Sequence, residues 1–187
     1  MQKTMAQPNH RKIVQALNYL AEKQPDKRLN RMKALKLLWL ADRYHLRQYG
    51  RTISEDTYYA IKYGPISTTA KDILDSPFIY EDADRCLEAI GKYGYKSIFP
   101  TNTDVFSQTD LLALDLIWNK YGKFSEFRLS EMSHKFPEWA KFGDSTKHRR
   151  HAMNIMDFFI NYNDDSGLFE DAPDFLEVSK EIYLLNN

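Results

Sequence analysis

The sequence is short of cysteine, glycine and long apolar runs, and each shortage excludes a class of protein. Its 187 residues include one cysteine, Cys86, which cannot form an internal disulfide or a multi-thiolate metal site. The seven glycines form no phosphate-binding loop, and the Walker, dinucleotide-binding, nucleophile-elbow and zinc-protease signatures are all missing. The longest apolar run, residues 37–41, is far shorter than a membrane span.

The start of the chain and the lone cysteine together indicate the cellular compartment. Residues 1–4 lead into polar sequence without the apolar stretch of a secretory signal. A single cysteine fits a reducing compartment, where disulfides are rare. We therefore expect a cytoplasmic protein with no membrane segment, no metal and no cofactor.

The net charge of zero hides a strong division along the chain. Residues 1–51 hold 12 lysines and arginines against three acids, whereas residues 157–187 hold eight acids and one lysine. Such a division favours docking of the chain to a charged partner, or pairing of its two ends within the fold or within a dimer. The other interpretation is two solvated faces of opposite sign.

One long helix dominates the predicted fold. Asn30 is its expected N-cap and Gly50 its expected end, so the helix covers about residues 30–49. One face carries a stripe at steps of three and four residues, apolar except for one aspartate: Met32, Leu35, Trp39, Asp42, Leu46 and Tyr49. A second face is mostly basic: Lys33, Lys36, Leu40, Arg43 and Arg47. Because residues 37, 38 and 41 are also apolar, we predict that this is the central, buried helix of the domain.

The remaining patterns predict an α+β fold that is predominantly α-helical, with helices around the central one and a small antiparallel sheet. A hydrophobic content of 43% is ample for one packed core. Alternation and β-prone residues predict strands at 57–63, ended by Gly64-Pro65, and at 78–81 and 92–99. Helical spacing predicts helices at 13–20, 129–136, 155–162 and 175–185, and Ser107 with Asp110 predicts a capping box.

Asp42 lies on the apolar stripe, where an ionised carboxylate needs hydrogen-bond partners. We interpret it as a structural residue that caps backbone amides of a neighbouring loop or accepts from a tyrosine hydroxyl. The alternative is a general base working with His45, one helical turn later. His134 completes a metal trio in that alternative, but nothing in the sequence fixes its approach, and a surface or capping role is the simpler interpretation.

The basic N-terminal third, with Tyr44 and Tyr49 among its charges, raises the alternative of nucleic-acid binding through phosphates. No helix-turn-helix signature accompanies it, and lysines on a helix face are typical of solvent exposure. The twelve tyrosines favour a protein partner, since tyrosine is enriched at protein–protein interfaces. We therefore favour a protein-binding domain over a nucleic-acid-binding regulator.

Two blocks of the sequence resemble a known family. The first comprises residues 35–45, the Gly-x-x-Ile motif at 50–53 and the segment Tyr58-Tyr59-Ala60-Ile61-Lys62-Tyr63-Gly64-Pro65-Ile66. The second comprises residues 129–134, followed by Pro137-Glu138-Trp139. Together they resemble the Panacea domain of the SocA-like antitoxin family, also described as phage-associated GepA-like proteins. The resemblance spans about residues 10–145. We assign the domain to residues 1–163 and expect the acidic turn and helix at 164–187 to pack on it.

The resemblance implies an antitoxin that neutralises a toxin encoded beside it by direct contact, without catalysing a reaction. In this interpretation the family-motif residues are structural: Asp42, His45, Gly50, Gly64, Pro65, His134 and Trp139. A hydrolase or transferase that uses Asp42, His45 and His134 is the enzyme alternative.

A basic helix face followed by an aromatic strand indicates where the partner binds. We expect five residues to lie near the surface that contacts the toxin: Arg43, Arg47, Tyr58, Lys62 and Tyr63. A different hypothesis is that the acidic segment from residue 164 onward occupies a basic surface of the toxin. The other partners considered are a second copy of the chain and nucleic acid.

Overall fold

The structure is a computed structural model that describes residues 8–186, so residues 1–7 of the predicted domain and Asn187 lie outside its described part. The helices are α1 (His10–Glu22), α2 (Arg31–Tyr49), α3 (Thr68–Asp75), α4 (Ala83–Cys86), α5 (Gln108–Tyr121), α6 (Glu126–Ser133), α7 (Pro137–Ala140) and α8 (Pro173–Asn186). The strands are β1 (Arg28–Asn30), β2 (Tyr58–Ile61), β3 (Gly64–Ser67), β4 (Leu87–Ile90), β5 (Gly94–Ser97) and β6 (His151–Ala152). The predominantly helical α+β fold predicted from the sequence is confirmed.

Helix α2 lies at the centre, as predicted. The side chain of Asn30 caps its start by accepting from the amide of Lys33, and Gly50 ends it in the left-handed conformation at φ 68°. Residues 33–43 are buried without interruption. Helices α1, α5, α6 and α8 and the β2–β3 hairpin pack around it. A helix covered on all sides must satisfy its charged groups internally, which determines what its basic residues do.

The strands form two small antiparallel sheets, with the orders β1-β5-β4 and β3-β2-β6. The predicted strand at 57–63 ends earlier, at Ile61, and Gly64-Pro65 begins the returning strand β3. Pro65 pairs with Ala60 on an edge strand, where its missing amide removes no bond to a further strand. Gly64 makes the return by adopting φ 102°, which side chains disfavour.

Three local predictions differ from the structure. Residues 77–79 form a 3-10 turn and not the predicted strand at 78–81, because Pro77 starts a helical turn there. The segment predicted as a helix at 155–162 is a short 3-10 segment, Ile155–Phe159. The helix predicted at 129–136 ends earlier, since α6 ends at Ser133 and Pro137 opens α7.

The chain after β6 wraps over the end of α2. Phe158, Phe159 and Phe169 join the core from this segment, and α8 then packs against α2. Division of the chain at residues 163 and 164 stays a prediction. Among residues 8–186, no helix combines the length and the apolar character that crossing a membrane requires.

Candidate functional site

The two sequence blocks meet at the β2–β3 hairpin. From the second block, the indole Nε1 of Trp139 donates to the carbonyl oxygen of Ile61 at 2.9 Å, and Ser130 Oγ donates to the carbonyl of Tyr63 at 2.9 Å. The His134 ring stacks on the Trp139 ring, with centroids 3.9 Å apart. Helices α6 and α7 therefore hold the carbonyls at the tip of the hairpin, and His134 packs over this contact.

The inner side of the hairpin rests on α2. Lys36 is buried, and its Nζ donates to the carbonyl of Pro65 at 2.6 Å. Burial lowers the pKa of the Lys36 ammonium to about 7. Gly64 lies against the same lysine, and a Cβ at that position would lie 2.2 Å from Ser133 Oγ and 2.9 Å from Lys36 Cε. Residue 64 therefore has to be glycine both for its backbone and for this contact.

Asp42 binds the loop that follows α2, as the structural interpretation predicts. Its Oδ1 accepts from the backbone amides of Ile53 and Ser54 at 2.8 and 2.9 Å, and its Oδ2 accepts from Ser54 Oγ at 2.6 Å. Burial raises the pKa of Asp42 to about 6, and the hydrogen bonds from Ser54 oppose that shift. Both carboxylate oxygens are thus occupied by the protein itself.

Arg43, one residue further, forms an ion pair in the interior. Its Nε donates to Glu138 Oε1 at 2.7 Å, and both side chains are fully buried. Its Nη2 also donates to the carbonyl of Ile160 at 2.8 Å. The guanidinium lies 4.9 Å from the ring centroids of Phe136 and of Phe169. This ion pair joins α2 to α7 in the centre of the domain.

Arg47 holds the C-terminal segment onto α2. It pairs with Asp171, with Nη2 2.7 Å and Nε 2.9 Å from Oδ2, and it donates to Asn161 Oδ1 and to backbone carbonyls that include those of Phe158 and Phe169. Burial lowers the pKa of Arg47 to about 10, a shift that Asp171 opposes. The Arg47–Asp171 pair thus joins the basic first third of the chain to its acidic last segment within the fold.

The structure corrects the expected partner-binding set. Arg43 and Arg47 are fully buried and Tyr58 is 4% exposed, so none of the three can form part of a contact surface in this fold. The basic face of α2 can be buried because carboxylates and backbone carbonyls from distant segments accept its hydrogen bonds. Lys62 and Tyr63, in the turn of the hairpin, are exposed. They are the two members of the set that a partner can reach.

The burial of the basic face of α2 also affects the hypothesis of nucleic-acid binding. Lys33 and Lys36 lie on the basic face with the two arginines, and Lys33 Nζ donates to the carbonyl of Gly122 at 2.5 Å. Phosphate contacts require basic groups on a surface that a polyanion can approach. The basic face of α2 is therefore an internal network, whereas Arg11, Lys27 and Arg28 of the same N-terminal third are exposed.

The family model of the SocA-like antitoxin, Panacea domain, matches residues 35–140 of this chain. The chain belongs to this family. Neither the comparison with curated proteins nor the comparison with solved structures gave a match. The match covers α2 from Leu35, both strands of the hairpin and all of α6 and α7, so the contacts between the two blocks lie within the Panacea domain.

The acidic partners of the two arginines of α2 differ in their position relative to the matched residues. Glu138, the partner of Arg43, lies inside the matched residues, whereas Asp171 and the other groups that bind Arg47 lie beyond residue 140. The Arg43–Glu138 pair is therefore internal to the Panacea domain. Arg47 links this domain to the segment that follows it, and Arg43 contacts the same segment through the carbonyl of Ile160.

Three candidate catalytic residues of the Panacea domain are engaged separately. Asp42 binds the 53–54 loop, His45 binds Arg51 and Thr109, and His134 stacks on Trp139. Among residues 8–186, no group of three histidine, cysteine, aspartate or glutamate side chains is placed to hold a metal ion. The trio of the enzyme alternative is therefore not assembled as a metal site.

His45 connects α2 to two other segments of the Panacea domain. Its Nδ1 lies 2.8 Å from the carbonyl of Arg51 and its Nε2 lies 3.0 Å from Thr109 Oγ1. A carbonyl only accepts, so Nδ1 carries the proton and the Thr109 hydroxyl donates to Nε2. Burial lowers the pKa of His45 to about 4, although Asp110 Oδ1 lies 3.2 Å from Nε2. His45 is thus neutral at physiological pH.

Replacing His45 by glutamine is expected to weaken the dependence of stability on acid pH. The pKa of His45 falls from 6.5 in the unfolded chain to about 4 in the folded chain. Between these values the unfolded chain binds more protons, so the stability linked to neutral His45 is present above pH 6.5 and is lost toward pH 4. The loss amounts to about 3 kcal/mol.

Urea denaturation at several pH values between 4 and 7 measures this effect in both proteins. Asp42, whose pKa is raised to about 6, acts in the opposite direction, but it does so in the wild type and in the variant alike. The free energy of unfolding should therefore fall more steeply with acid in the wild type. Equal slopes would contradict a neutral, buried His45.

Sequence reasoning missed the acidic residues that bind buried groups of the fold. Glu138, Asp171 and Asp56 all bind buried groups, and Asp56 caps α3 by accepting from the amides of Thr69 and Ala70 at 3.1 Å each. The acidic surplus of the C-terminal segment was the available signal for Asp171. No local pattern marks Glu138 as the partner of Arg43.

Proposed function

We propose that this Panacea domain is a cytoplasmic antitoxin that neutralises a cognate toxin by direct protein–protein contact. The observation that carries the proposal is the family match over residues 35–140. The internal use of Asp42, His45 and Arg43 supports it, because these groups maintain the fold and offer no reactive site. The chain acts by binding and catalyses no reaction itself.

The exposed chemistry is that of a binding surface. Lys62 and Tyr63 lie at the hairpin turn, with Lys62 Nζ 5.2 Å from the Tyr63 ring centroid. Of the residues expected to contact the toxin, these two retain that role in the proposal. The segment from residue 164 belongs to the same packed unit in this proposal, since Arg47 and Asp171 join it to α2.

Co-expression with the product of the neighbouring gene tests the proposal. The toxic product is expressed from an unrelated inducible promoter, so that repression of its own promoter cannot account for any rescue. We expect the wild-type chain to restore growth and to co-purify with the toxic product. A Trp39→Asp variant, which places a charge at a fully buried position, should restore nothing. Growth arrest that persists beside folded, abundant wild-type chain would contradict the proposal.

A further inference from the structure

Helix α8 has one face on the protein and another, apolar, face in solvent. Leu176 and Ser179 are buried against the body, and Ile182, which is 39% exposed, also borders the body, since a Cβ on Gly50 would lie 2.6 Å from Ile182 Cγ2 and 2.8 Å from the carbonyl of Ser179. The neighbouring face carries four exposed apolar residues. These are Phe175, Val178, Ile182 and Leu185, called here the α8 stripe.

The α8 stripe has the spacing of a helix-binding seam. Its members follow each other at steps of three, four and three residues, which places them in a row along the helix. Leu185 is 86% exposed and Val178 is 55% exposed. Single exposed apolar residues are ordinary, but a row of four on one helix marks an interaction surface.

An acidic row runs beside the stripe. At 100° per residue, Asp174, Glu177 and Glu181 project from the side of α8 that borders the stripe on the edge away from the body. All three are exposed. Glu177 pairs with Lys180 at 3.1 Å, whereas Asp174 and Glu181 form no ion pair among residues 8–186. Lys180 is the single basic residue between positions 157 and 187.

We propose that the α8 stripe is the docking surface for an amphipathic helix of the toxin, with lysine or arginine along the edge that faces the acidic row. The inference rests on the proposed antitoxin function and specifies where contact occurs. Apolar side chains at this spacing take the apolar face of another helix, and free carboxylates beside them select a basic flank. An antiparallel pairing with a second copy of α8 fits poorly, because it would bring two acidic rows together.

The first test places a carboxylate in the stripe. The probe is the purified product of the neighbouring toxic gene, and its Kd for the wild type is measured by calorimetry. We expect Val178→Glu to raise the Kd at least about tenfold. Leu112→Glu is the matched control, since Leu112 is 54% exposed on α5, and it should leave the Kd unchanged. Thermal unfolding checks that both variants fold.

The second test reverses a charge in the acidic row. Glu181→Lys should raise the Kd by about tenfold at low salt and should make the Kd less dependent on salt than in the wild type. Asp104→Lys, an exposed aspartate far from α8 in the sequence, is the control and should behave as the wild type.

Each alternative outcome is decisive. Unchanged affinity in both Val178→Glu and Glu181→Lys overturns the α8 surface while leaving the antitoxin function intact. A wild type that does not bind the toxic product overturns the antitoxin function, and the α8 inference falls with it. If sedimentation shows a wild-type dimer that Val178→Glu dissociates without loss of toxin affinity, the occupant is a second copy and the proposal is wrong.

Discussion

Replacing Arg43 by alanine is expected to lower the free energy of unfolding by about 3–5 kcal/mol, because it leaves the Glu138 carboxylate charged and buried without its partner. The change also removes a donor to the carbonyl of Ile160 and the contacts with two aromatic rings. Urea denaturation at pH 7 measures the loss. Any reduction in toxin neutralisation should follow the unfolded fraction, since Arg43 cannot reach a partner.

Two controls distinguish the loss of the buried ion pair from the general effect of removing an arginine side chain. Arg128, on the exposed side of α6, also lies over an aromatic ring, 3.6 Å from the centroid of Phe124, and Arg128→Ala should cost less than about 1 kcal/mol. A double variant, Arg43→Met with Glu138→Met, removes both charges and should be more stable than Arg43→Ala alone. A loss in Arg43→Ala no larger than that in Arg128→Ala would refute the internal ion pair.

Replacing Gly64 by alanine is expected to cost about 4 kcal/mol of stability, from two independent causes. The φ of 102° is unfavourable for any residue with a Cβ, at roughly 1–3 kcal/mol. The added Cβ would also meet Ser133 Oγ and Lys36 Cε, and the overpacking adds roughly 1–3 kcal/mol. Neither neighbour moves freely, since Ser133 Oγ donates to the carbonyl of Ser130 and Lys36 Nζ donates to that of Pro65.

Gly91 offers a matched control for the cost of the positive φ at Gly64. It has φ 57°, and a Cβ there would have no atom within 4 Å. Gly91→Ala should therefore cost only the backbone strain, about 1–2 kcal/mol. Adding Ser133→Ala to Gly64→Ala should recover part of the loss by removing the nearest atom. Chemical denaturation that gave equal losses for the two glycines would show that the hairpin does not rest on Lys36 and Ser133 as described.

Local signals in the sequence predicted the local structure well. Asn30 and Gly50 delimit α2 because caps act through neighbouring backbone groups, and Ser107 with Asp110 forms the expected capping box on α5. The position of Asp42 within an apolar stripe indicated that its carboxylate needs internal partners, and the amides of Ile53 and Ser54 donate to it. The strand predicted at 78–81 was wrong, since a few β-prone residues outweighed the proline that precedes them.

Local sequence signals could not predict which distant residues pair with the buried arginines. A basic row on a helix looks the same whether it faces water or distant carboxylates, and the partners of Arg43 and Arg47 lie 95 and 124 residues further along the chain. The overall charge division pointed to the second of these pairs alone, because Arg47 and Asp171 join the basic first third to the acidic last segment, whereas Glu138 lies outside that segment. It did not show which acid pairs with which base.

The exposure of the α8 stripe could not be predicted from the sequence either. A helix at 175–185 was expected, but its burial depends on which face meets α2, and the sequence leaves that open. Packing through Leu176 and Ser179 turns Val178 and Leu185 outward. The outward face is therefore a property of the assembled fold and not of the helix alone.

The affinity between the purified wild-type chain and the purified product of the neighbouring toxic gene tests the central claim most directly. We expect saturable binding by calorimetry with a Kd of about 1 µM or lower, which corresponds to roughly 8 kcal/mol. Binding should persist with no nucleic acid present. Absence of binding at about 100 µM, with the chain folded and the toxic product active, would contradict direct neutralisation by this Panacea domain.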